Sequence, residues 1–142
     1  MLCTKTLRVI AVEPHPHNIS AIMKAMRNFR TNNAKCVPEA VGDANGFSKL
    51  FLAGEHGGAA IDSWNRKGEH TVVKTATLDT LLSREQEISL IKVDVEGPKF
   101  EVLKGTRRSM NNIRSWIIEL HNPQARNELE ELMFCRILVG VD

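Results

Sequence analysis

Four short stretches of this chain carry side chains able to do chemistry. Glu13 ends the apolar run Arg8-Val9-Ile10-Ala11-Val12-Glu13, just before Pro14. Asp43 follows Gly42 at the end of a second apolar run. Asp94 and Glu96 stand one residue apart in Leu90-Ile91-Lys92-Val93-Asp94-Val95-Glu96-Gly97. Glu119 and His121 close Trp116-Ile117-Ile118-Glu119-Leu120-His121. A carboxylate at a strand end can accept hydrogen bonds from both hydroxyls of a ribose, the reading of Glu13 in a nucleotide-binding sheet. The competing reading of Glu13 is a surface carboxylate favoured by the dipole of the helix that follows. Asp43 can accept a bond from the exocyclic amine of an adenine, or it is a turn residue of Gly42-Asp43-Ala44-Asn45-Gly46. Asp94 and Glu96 can orient a cofactor, accept a proton or hold a divalent ion. Glu96 can equally cap the helix that starts near Pro98. Lys92 alternates with Asp94 and reads as its salt-bridge partner.

These groups need elements to position them. The runs at 8–13, 36–41, 46–52, 71–77, 89–94, 115–120 and 136–141 read as strands, from their Val and Ile content and their turn-forming ends. Helices are predicted from Asn18, as N-cap, to an end at Asn32-Asn33, from Pro98 to Met110, and over 124–134, with a helical turn at 79–82. Pro98 suits a first helical turn. Strands that alternate with helices predict an α/β fold with a mainly parallel sheet and a β insertion at 46–77. In such a sheet the carboxyl edge holds the ligand. Asp94, Glu119 and His121 are then expected to converge there, as a metal site or an acid–base site. His15, His17, His56 and His70 have no metal-ligand spacing, and no metal is expected. The glycine-rich 54–60 stretch is expected to be mobile, and 54–70, with Trp64, is a candidate lid or an ordinary surface loop.

Composition limits the partners. With 142 residues, the chain suits one domain with a real core. A formal net charge of +2 does not suggest nucleic acid. Arg107 and Arg108 read as a solvated helix face rather than a phosphate grip. Cys3, Cys36 and Cys135 are few, odd in number and far apart, which fits reduced thiols in a cytoplasmic protein. No apolar run approaches the roughly 20 residues of a membrane span, and no secretory signal is visible.

The segments taken together resemble the FkbM family of S-adenosylmethionine-dependent methyltransferases. The pieces are Val12-Glu13-Pro14-His15-Pro16-His17-Asn18, Glu39-Ala40-Val41-Gly42-Asp43, Thr77-Leu78-Asp79-Thr80-Leu81-Leu82, Ile91-Lys92-Val93-Asp94-Val95-Glu96-Gly97 with Val102-Leu103-Lys104-Gly105, and Ile118-Glu119-Leu120-His121. Their order matches as well as their content. The resemblance implies a Rossmann-like class I methyltransferase fold, mainly parallel, in a single domain over 1–142. It implies that Glu13 holds the ribose of S-adenosylmethionine, that Asp43 lies near its adenine, and that Asp94 stands beside the methionine end and the substrate. The implied reaction is O-methylation of a small-molecule or sugar hydroxyl, with Asp94 or His121 as the base.

The sequence departs from the family at one place of consequence. The first strand and its glycine-rich loop, which cradles the methionyl part of the cofactor, have no counterpart here, and the domain reads as incomplete at its N-terminus. The neighbours of that strand must then pair directly, take a substitute from Met1 to Leu7, or accept another chain, because unpaired strand edges are costly. Self-association through that edge is expected on the same ground. Pro98-Lys99-Phe100 is a second departure, where the family more often has small or acidic residues. Two other readings compete: a non-catalytic remnant or interaction domain that keeps the fold, and a dehydrogenase. The dehydrogenase needs a Gly-x-Gly-x-x-Gly that is absent.

Overall fold

The computed structural model of the chain describes residues 7–52, 59–61, 69–95, 99–119 and 137–140. The fold is mixed α/β. Strand β1 (Val9–Val12) leads through helix α1 (Pro16–Asn28) to β2 (Ala34–Val37), and the two strands pair in parallel with Val9 opposite Ala34. This is a βαβ unit. Its helix begins earlier than the expected Asn18 N-cap. His15 is the cap, its side chain accepting from the His17 amide, and Pro16 opens the first turn. Proline suits that position because the first-turn amides have no helical partner to lose.

The expected strand over 36–41 is split. β2 stops at Val37, and β3 (Ala40–Val41) joins a different sheet. Pro38 stands at the break; it has no N–H to give to a ladder. In that second sheet β3 runs parallel to β6 (His70–Ala76), which pairs antiparallel with β4 (Gly46–Leu52). β5 (Ala59–Ile61) pairs with β4. It overlaps the end of the 54–60 stretch expected to be mobile. The remainder of that stretch and most of the candidate lid lie outside the described residues.

A third, parallel sheet orders β7 (Ile91–Val93), β8 (Trp116–Glu119) and β9 (Ile137–Gly140). Helix α2 (Leu78–Leu81) precedes it, and α3 (Lys99–Lys104) connects β7 to β8 through a 3-10 turn at Met110–Asn112. The predicted helix over 124–134 lies outside the described residues. Among those residues the parallel strands form separate β1–β2 and β7–β8–β9 sheets rather than one, and no strand joins β1 to β7.

The main core explains the order of these elements. Leu78, Leu82, Val93, Val102, Leu103, Ile113, Trp116 and Ile118 bury together, so α2 and α3 share one face of the β7–β8 sheet. Burial of each such side chain contributes roughly 1.5–3 kcal/mol. A smaller core of Ala40, Leu50 and Val73 lies within the β3–β6–β4 sheet. Alternation assigns the other face of β7 and β8. Val93, Trp116 and Ile118 point inward, whereas Lys92 and Asp94 are exposed. Among the described residues no helix is long and apolar enough to cross a membrane.

Candidate functional site

The carboxyl ends of β1 and β7 each present an acid. At β1, Glu13 follows the last strand residue, and its amide donates to the Val37 carbonyl of β2. Its Oε1 accepts the amide of His15 at 2.8 Å. That bond spans Pro14 and fixes the carboxylate at the entry to α1. The Cys36 thiol lies near enough that burial first, and the Glu13 charge second, push its pKa up. This thiol is therefore a poor nucleophile.

At β7 the charges form a cluster. Lys92 Nζ donates to Asp94 Oδ2 at 2.8 Å and stands 4.0 Å from Glu119 Oε2 on β8. The parallel register pairs Val93 with Ile118, so Asp94 and Glu119 follow it side by side. The Lys92 hydrogen bond is the main force holding the Asp94 carboxyl below the usual range; burial opposes it, while Glu119 and Lys99 add to it. The same bond raises the Lys92 ammonium above its usual value. The expected pairing of Lys92 with Asp94, and the approach of Asp94 to Glu119, are therefore present. His121, Glu96 and Gly97 lie outside the described residues. Lys99, at the start of α3, is buried, and its charge reaches Asp94. Among the described residues, no group of three His, Cys, Asp or Glu side chains could share a metal ion.

Asp43 stands elsewhere. It lines a polar cavity of about 420 Å³ with Asn45, Thr80, Lys104, Arg107 and Arg108. Neither Glu13 nor Asp94 lines this cavity. Asp94 precedes α3 and Lys104 ends it. Asp43 and Asp94 thus belong to opposite ends of a six-residue helix, about 9 Å long.

The floor beneath Asp43 is built from three of the segments that carried the resemblance. The Gly42 amide donates to Ala76, and the Asp79 amide donates to the Gly105 carbonyl. The Thr77 amide donates to Asn45 Oδ1 at 3.0 Å. Asp79 then works as a clamp on the turn after α3. Its Oδ1 accepts the amides of Arg108 at 3.0 Å and Ser109 at 2.8 Å. Burial of Asp79 opposes ionisation, but these amides outweigh it and hold its carboxyl below the usual range. Arg107 and Arg108 are therefore not on a helix face, as the sequence suggested. They sit in the turn that Asp79 holds, and the signal for it was an Asp two residues after the Thr77 cap.

Asp79→Ala is expected to cost about 1–3 kcal/mol, because two amides lose a charged acceptor. The sign of its pH dependence follows from the lowered folded pKa. The stabilisation is complete above the unfolded carboxyl value and disappears as pH falls through the folded one. Urea unfolding of wild type and variant should differ near neutral pH and converge in strong acid.

Comparison with known proteins gives one match. A family model for the methyltransferase FkbM domain matches residues 1–135. No curated protein matches the chain, and no solved structure does.

Proposed function

The chain belongs to the FkbM methyltransferase domain family, and on that premise we propose that it methylates a hydroxyl oxygen of a small molecule or sugar, with S-adenosylmethionine as donor. When bound, that donor supplies a methyl group on a positively charged sulfur. The reading takes the two βαβ units as parts of a Rossmann-like class I methyltransferase sheet. The observation that carries it is an Asp94 carboxylate fixed by Lys92 Nζ at 2.8 Å, at the carboxyl end of β7.

The residues present suit such a donor. Glu13 commits Oε1 to the His15 amide, and its Oε2 has no hydrogen-bond partner among the described residues. That oxygen can accept from ribose hydroxyls. Asp94 is held ionised, and a fixed anion stabilises positive charge brought beside it. A carboxyl held below the usual range is a weak base at neutral pH. Asp94 therefore serves as an electrostatic and orienting group. The proton of the acceptor hydroxyl is assigned to His121, because an imidazole is the commonest general base. Positioning of the acceptor oxygen in line with the methyl carbon supplies much of the remaining rate. Asp43, in its separate cavity, is not needed for these steps.

The test is release of S-adenosylhomocysteine by the purified chain, with hydroxylated sugars and hydroxy acids as acceptors. Acceptor-dependent release supports the reading. Release that is absent with every hydroxyl acceptor, yet present with an amine or thiol acceptor, would overturn the oxygen assignment.

A further inference from the structure

We propose that the cavity beside Asp43 is a second binding site, for a small phosphate monoester that also carries a hydrogen-bond donor. Its volume of about 420 Å³ falls within the range of small-molecule sites. Four segments build it: the turn at 43–45, the start of α2, the end of α3, and the turn at 107–108. Such a wall of separate segments is held together by the Asp79 clamp and by the Gly105–Asp79 backbone bond.

The charges select the ligand. Lys104, Arg107 and Arg108 line it together with Asp43 and Asp79. Asp79 is already engaged by two backbone amides and lies 3.6 Å from the Arg108 Nε. Lys104 and Arg107 have no ion-pair partner among the described residues, and neither has Asp43. A guanidinium fork beside an ammonium matches the geometry and charge of a phosphate. A bare anion would also meet Asp43, which repels it. A ligand with an amine or hydroxyl donor turns that carboxylate into an acceptor instead. The lining has little apolar surface to attract an uncharged hydrophobic ligand. The methyl donor carries no phosphate, and the residues proposed to hold it do not line this cavity. The inference therefore stands apart from the methyl-transfer reading.

Calorimetric titration of the full chain with AMP, inorganic phosphate and adenosine tests it. AMP carries both a phosphate and an exocyclic amine, and it should bind at least about tenfold tighter than either part alone. The double variant Lys104→Ala, Arg107→Ala should lose about tenfold in AMP affinity, with an unchanged thermal midpoint because both side chains are exposed. Asp43→Ala should reduce AMP affinity toward that of inorganic phosphate. Equal AMP binding by wild type and the double variant overturns the proposal, as does no AMP binding at millimolar concentration. Competition between AMP and S-adenosylmethionine would also overturn it, by assigning the cavity to the donor.

Discussion

Gly105→Ala should lower the unfolding free energy by about 3 kcal/mol, the upper end of the usual cost of overpacking. The cause is local and steric. A Cβ on Gly105 would collide with the Gly42 carbonyl oxygen and stand 3.3 Å from Thr77 Cβ. The obstacle is backbone, so no rotamer change relieves it. The end of α3 must move away from β3 and from the cap of α2. That movement also strains the bond from the Asp79 amide to the Gly105 carbonyl. Gly42→Ala is the milder comparison. There the close atom is Thr75 Cγ2 at 2.9 Å, on a side chain that can give slightly. Urea unfolding of the two variants should rank Gly105→Ala well below Gly42→Ala. Equal midpoints would contradict the close approach of Gly105 to the Gly42 carbonyl.

Asp94→Asn should reduce kcat/KM for methyl transfer roughly 10²-fold or more, the scale of losing one preorganised electrostatic group. Its thermal midpoint should barely move, because exposed ion pairs contribute little to stability. Lys92→Met separates the two roles. Asp94 acts while ionised, so activity falls as pH drops through its folded pKa. In the wild type Lys92 holds that value below the ordinary carboxyl range, near 3.9 in model peptides. Removal of Lys92 leaves Glu119 and Lys99 as the charged neighbours, and the Asp94 carboxyl, followed by its carbon NMR shift, titrates at higher pH. An unmoved titration curve would show that Lys92 does not set the state of Asp94.

The sequence made the local chemistry legible more readily than the assembly. Lys92 and Asp94 alternate on one strand, so their pairing follows from a period of two. The adjacency of Asp94 and Glu119 followed from parallel pairing of two Val- and Ile-rich runs. The helix start was misplaced at Asn18 because its cap preference outweighed Pro16, whose fixed φ suits the first turn. The 36–41 run read as one strand because its apolar content hid what Pro38 does to a ladder. The cavity was invisible for a different reason. Asp43 is far in sequence from Lys104 and Arg107, and the close approach of Gly42 to Gly105 helps bring them together. A glycine that permits close backbone approach leaves no periodic signal.

The acids at the ends of β1 and β7 are proposed to hold the methyl donor. The direct measurement is calorimetric titration of the purified chain with S-adenosylmethionine, alongside Glu13→Ala and Asp94→Asn. Saturable binding by the wild type, weakened in both variants, is the predicted result. No heat of binding at millimolar ligand, or binding that neither substitution alters, would contradict it.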